Sequence, residues 1–236
     1  IAAESLVKLA AFIAVGLFVV FVLFDGPAQL WQKASDAALV QQAFGQGFNG
    51  PKWLTVTFLS FSAALLLPRQ FHVAVVENNS EADIRLAAWM FPLYLILINL
   101  FVVSIAAAGL LLLPPPGVDP DQYVLQLPIL GNAPVLAIGA FIGGLSAATA
   151  MVIVETVALS IMVCNGLVVP LLLRHRFATG DSGEDMTREL LVIRRVAIGM
   201  IMVLAYFVFR TFGHSQGLAT IGLISFAAAA QLAPAA

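Results

Sequence analysis

The sequence predicts an all-α polytopic membrane protein that crosses the bilayer about six times. Three observations carry this expectation. The chain is 61% hydrophobic and only 10% charged, whereas soluble domains run at roughly 45–50% apolar and about 25% charged. Its apolar residues gather into runs long enough to span, since each helical residue adds about 1.5 Å toward a hydrocarbon core of about 30 Å. The Lys and Arg residues between the runs are distributed unevenly, as expected of loops on opposite sides of a membrane.

The first run is Ala2–Phe24, with Glu4 and Lys8 near its start and Asp25-Gly26-Pro27 ending it. The second, Trp53–Val76, is interrupted by Pro68-Arg69-Gln70. The third, Leu86–Leu113, closes on three prolines. The fourth, Pro134–Leu173, exceeds one span and is expected to project from the bilayer or to break near an end. The fifth is Leu190–Phe209, and the sixth is Gly217–Ala236. The sequence starts inside one run and stops inside another, so a single transmembrane domain cut from a longer polypeptide is expected. Between the first two runs, Leu30, Trp31, Ala34, Ala37, Ala38 and Leu39 recur near helical spacing. They predict one amphipathic helix over Pro27–Phe44, lying on the membrane surface.

Arg174, Arg176, Arg188, Arg194 and Arg195 come after the fourth run, while the link Pro114–Ala133 holds Asp119 and Asp121 and no basic residue. The first group belongs in the cytoplasm and the second link outside. A net charge of −2 suggests no nucleic-acid partner, and the single cysteine, Cys164, precludes an internal disulfide. No phosphate-binding loop, metal-spaced His/Cys set or nucleophile elbow occurs, so no catalytic residue is assigned.

Proline removes a backbone donor, so the helix should kink or unwind at Pro68, and broken membrane helices often line binding cavities. Arg69, Gln70 and His72 beside it place polar groups where charge is costly. Two readings stand: a substrate site at Pro68, Arg69, Gln70 and His72, or side chains snorkelling to the cytoplasmic interface from about 12 Å deep. On the fourth run Ser146, Thr149, Thr156 and Ser160 share one helix face. They either back-bond and pack, or line a cavity in which a hydroxyl ligates a cation such as Na⁺. Glu155 lies mid-run, half a turn from that stripe, and an intramembrane carboxylate is a functional candidate by default.

Four stretches resemble the sodium:solute symporter superfamily, and most closely the symporter-like module of CbrA-type bacterial sensor histidine kinases. They are Leu66–Asn78, containing Pro-Arg-Gln-Phe-His, then Trp89–Asn99, Gly143–Thr149 and Asn165–Pro170. The resemblance implies part of a LeuT-type inverted-repeat bundle, with the six runs as its fifth to tenth core helices. It implies a substrate site at the broken second run. It also puts Ser146 and Ala147, or in a shifted register Gly143 and Gly144, where true symporters present two sodium-binding hydroxyls. The hydroxyl pair is incomplete either way. Na⁺ is therefore the one expected cofactor candidate, at Ser146.

The expected function is that of a symporter-like input module of a sensor histidine kinase in the bacterial inner membrane. It would bind, and in one version transport, a small metabolite such as an amino acid or a carboxylate. Its partners would be that solute, membrane lipid, kinase domains in the same chain and a response regulator. The alternative is an autonomous Na⁺-coupled solute symporter without signalling output.

Overall fold

A computed structural model describes residues 2–45, 47, 49–67, 80–115, 117–171, 186–212 and 217–231. All regular structure among these residues is helical. Helix α1 is Ala2–Phe18 and continues as a π turn, Val19–Leu23. Gly26 ends this unit: its N–H reaches the Val20 carbonyl at 2.9 Å. Its φ of 111° is a left-handed value that glycine alone adopts freely. Pro27 then opens α2 at a position where its missing N–H costs nothing.

The expected surface helix is two helices, α2 (Pro27–Asp36) and α3 (Ala38–Phe44), with a corner at Ala37, whose ψ is 122°. The corner turns a different set of residues inward from the one helical spacing suggests. Leu30, Ala34 and Val40 are buried, while Trp31 and Leu39 remain exposed.

Helix α4, Gly50–Leu66, starts before the second run and holds most of that run's described part, Trp53–Leu67. The third run begins earlier than expected, at Glu81. Ser80 caps the N–H of Asp83, and Glu81 and Asp83 sit in the first turn where the helix dipole favours them. This run is two helices, α5 (Glu81–Asn99) and α6 (Val102–Leu112), separated by Leu100 and Phe101. Asn99 turns its amide back onto the Leu95 carbonyl at 2.8 Å. Phe101, with φ −104° and ψ 0°, leaves helical geometry and sets its ring against Gly16 of α1.

The link after α6, expected to be a loop, folds into a 3₁₀ turn (Pro120–Gln122) and helix α7 (Tyr123–Leu130). Asn132, at φ 53°, makes the turn into α8 (Pro134–Val163). A π turn, Cys164–Val168, interrupts the fourth run near its C-terminal end. Helices α9 (Met186–Phe212) and α10 (Leu218–Ala230) complete the described chain.

The described chain divides into two compact units, 1–53 with 79–150 and 54–78 with 151–236. The core of the first gathers Val15, Val19, Val20 and Phe24 of α1 and the residues just after it, Leu30 of α2, Ile105 and Ala108 of α6, Tyr123 and Leu127 of α7, and Ala140 of α8. Contacts fix the helix directions there. Residues 5 and 8 of α1 meet Tyr94, and Gly16 meets Phe101, so α1 and α5–α6 run parallel. Glu4 meets Ser146 and Ala11 meets Gly143, so α1 and α8 run antiparallel. In the second unit α9 packs on the π turn Cys164–Val168.

Among the described residues, four helical stretches are long and apolar enough to cross a membrane: Ala3–Leu23, Glu81–Leu112, Pro134–Leu171 and Leu190–Thr211. Their large apolar side chains, among them Trp89, Val135, Leu145, Leu204 and Phe207, stay exposed. Such surfaces suit hydrocarbon and would aggregate in water.

Candidate functional site

In the first unit the chemistry concentrates where α1, α5 and α8 meet. Glu4 and Lys8 lie four residues apart, which puts them on one face of α1. From Leu86 to Leu112 and from Pro134 to Ala150, the neighbouring membrane helices carry no Asp, Glu, Lys or Arg. These two side chains therefore dominate the local field. Tyr94 of α5 places its ring centroid 5.6 Å from the Lys8 ammonium, within cation–π range. Its hydroxyl points at the Ser5 carbonyl, 3.5 Å away. Both Lys8 and Tyr94 are half-buried.

Helix α8 approaches from the other side. Gly143 permits this: a Cβ there would lie 2.5 Å from the Ala11 Cβ and 3.7 Å from the Lys8 Cα. One turn further on, the Ser146 hydroxyl donates to the Glu4 carbonyl at 3.2 Å. Beside this contact lies a cavity of ≈ 250 Å³, lined by Lys8, Ala11, Phe12, Ile98, Val124, Ala140, Gly143, Gly144 and Ala147. Lys8 is the one charged residue along it, and the surface the cavity presents is apolar. A larger groove of ≈ 660 Å³ runs along Val7, Ala10, Ala11 and Ala14 and the first turns of α8. It is lined only by apolar residues and has no side chain to orient a solute.

The hydroxyl stripe of the fourth run satisfies itself on its own helix, except at Ser146. Thr149 Oγ1 donates to the carbonyls of Leu145 (2.9 Å) and Ser146 (3.1 Å). Thr156 Oγ1 reaches Val152 (2.7 Å) and Ile153 (3.2 Å), and Ser160 Oγ reaches Val157 (2.8 Å). Thr156 and Ser160 are buried and Thr149 is exposed. Ser146 and Thr149 belong to the first unit; Glu155 (half-buried), Thr156 and Ser160 belong to the second. Pro68, Arg69, Gln70 and His72 lie outside the described residues.

Among the described residues no three His, Cys, Asp or Glu side chains cluster to hold a metal ion. The buried Tyr123 hydroxyl and the Nε of Arg194 lack a hydrogen-bond partner there. Burial, and then the charge of Asp119, push the Tyr123 phenol above its ordinary range.

Sequence reasoning marks Ser146 and Glu155 but overlooks the Lys8–Tyr94 pair. A charge at residue eight of an apolar run was the available signal. Its aromatic partner is 86 positions away and emerges only from the packing of α1 on α5.

These features define an α-helical membrane protein with a charged, small-walled locus inside one of its units. Comparison with family models, with curated proteins and with solved structures finds no match.

Proposed function

We propose that the chain is a symporter-like transmembrane module that binds a small metabolite and serves as the input module of a sensor histidine kinase in the bacterial cytoplasmic membrane. The observation that carries the solute-binding half is the interrupted state of its membrane helices. The third run breaks between Asn99 and Val102, and the first and fourth each contain a π turn. Uninterrupted helices suffice for an inert membrane anchor. Breaks in membrane helices recur where backbone groups must face a cavity or a bound solute. The signalling half rests on the likeness of Leu66–Asn78, Trp89–Asn99, Gly143–Thr149 and Asn165–Pro170 to the kinase-fused symporter modules.

A LeuT-type arrangement with six crossings is part of this proposal. The parallel course of α1 and α5 supports it. A chain that leaves at the far end of α1 must regain the near side before α5 begins, and this calls for a further crossing between them. The metabolite, an amino acid or a carboxylate, would sit near Pro68 with Arg69, Gln70 and His72. It would shift the helix bundle between two states by binding one of them more tightly, and kinase domains would pass that shift to a response regulator.

The test uses the full native polypeptide in membranes, incubated with labelled ATP and candidate metabolites. Self-phosphorylation that responds to a metabolite, and loses the response in Arg69→Ala and His72→Ala, supports the proposal. Absence of labelling together with uptake that requires Na⁺ and fails in Ser146→Ala would replace it with an autonomous Na⁺-coupled symporter.

A further inference from the structure

The geometry points to the phosphate of an anionic phospholipid as the partner of a basic face on α9. This goes beyond the solute-binding and signalling readings and rests on neither. Between Met186 and Phe212 the helix carries Arg188, Arg194 and Arg195 toward its start, Arg210 at its end, and a single acid, Glu189. The stretch fit to cross a membrane begins at Leu190. Arg194 and Arg195 therefore lie inside its apolar part, about 6–8 Å from that edge along the axis. An arginine side chain reaches back over such a distance to headgroup level.

Among the described residues none of these three arginines has an ion pair or a hydrogen bond, and the Nε of Arg194 is buried without a partner. Glu189 is five and six residues from Arg194 and Arg195, about 140° and 120° round the helix, not the three or four that bring side chains together. A guanidinium at the edge of hydrocarbon needs a counter-charge, and a lipid phosphate accepts two parallel N–H bonds from it. Arg188 and Arg195, both exposed, are seven residues apart, hence about 20° apart round the helix and about 10 Å along it. They bracket the membrane edge, so a phosphate at that level meets Arg188 from the water side and Arg195 from the hydrocarbon side, with Arg194 flanking. Three cations against one acid favour a lipid of net negative charge over a zwitterionic one. Leu191, Val192 and Val196, exposed beside the arginines, suit its acyl chains and give lipid the advantage over free phosphate.

The full native polypeptide, purified in a non-ionic detergent, is titrated with phosphatidylglycerol, phosphatidylcholine and inorganic phosphate, and bound lipid is counted by native mass spectrometry. Saturable binding of phosphatidylglycerol is expected, with phosphatidylcholine weaker by about fivefold or more. Arg194→Gln and Arg195→Gln should each weaken phosphatidylglycerol binding by about fivefold. Arg210→Gln, at the other end of α9, should leave it unchanged. Arg195 is exposed, so its replacement tests the site without disturbing packing, and Arg195→Lys should keep most of the preference for the anionic lipid. Equal binding of the two lipids would overturn the anionic assignment. Phosphatidylglycerol binding that survives both glutamine substitutions, or falls equally in Arg210→Gln, would overturn the site. Displacement of the lipid by millimolar inorganic phosphate would overturn the lipid as occupant in favour of free phosphate. A metabolite response in the phosphorylation assay would stand or fall independently of all these outcomes.

Discussion

A methyl group decides how close two membrane helices run. At Gly143 an added Cβ would press on the Ala11 Cβ, whereas at Gly139, one turn earlier on α8, it would meet nothing within 4 Å. Gly143→Ala should therefore destabilise the first unit by about 1–3 kcal/mol through overpacking. Gly139→Ala should be neutral or stabilising by up to about 1 kcal/mol, because alanine is the better helix former. Denaturant titration in detergent micelles reads both. Tyr123 makes a second prediction at this scale. Its phenol pKa is raised in the native state, so the unfolded chain, titrating near 10, loses its proton first. Stability is intact below that pH and falls as pH climbs toward the raised native value. Unfolding monitored from pH 8 to 11 should show this loss in the wild type and a smaller one in Tyr123→Phe. The candidate site was only partly legible at this scale. Ser146 and Glu155 announce themselves as polar residues in an apolar run, but Lys8 acquires its meaning from Tyr94 and Gly143, and no local pattern joins those three.

Long apolar runs identify themselves, because the length needed to cross hydrocarbon is a property of the segment alone. Interruptions and short surface elements do not. Leu100 and Phe101 are ordinary helix residues; the break between α5 and α6 accompanies the packing of the Phe101 ring on Gly16, 85 positions away. Helix α7 hides behind Pro128 and its eight-residue length. Even so, it contributes Leu127, which is fully buried in the core of the first unit. The corner at Ala37 similarly splits one periodic stretch into two helices. These small elements have measurable weight. Leu127→Ala should cost about 2–5 kcal/mol, as cavity-forming substitutions in cores do. Trp31→Ala on the exposed side of α2 should cost less than about 1 kcal/mol in the same micelle assay. Equal costs would mean that α7 is not part of the stable core.

For the whole molecule, the prediction concerns which side each link faces. Cys164 is completely buried, so the wild-type chain should remain unlabelled by a membrane-impermeant maleimide until it is denatured. Against that silent background, Asp121→Cys should label on intact cells. Arg188→Cys should label only after the membrane is opened. The reverse pattern would invert the orientation drawn from the basic residues.

The π turn at Cys164–Val168 has a consequence for how the fourth membrane helix tolerates change in length. An α-helix advances about 100° per residue, so deleting a residue from an unbroken stretch swings every later side chain to a new bearing. A π turn already contains one residue beyond what its rise requires. Loss of Gly166 would let the helix close into ordinary α geometry, with Val169, Pro170 and Leu171 keeping their bearings relative to Thr156 and Ser160. The turn is thus a slack point, the place in that helix where the chain can shorten by one residue without re-aiming the side chains beyond it.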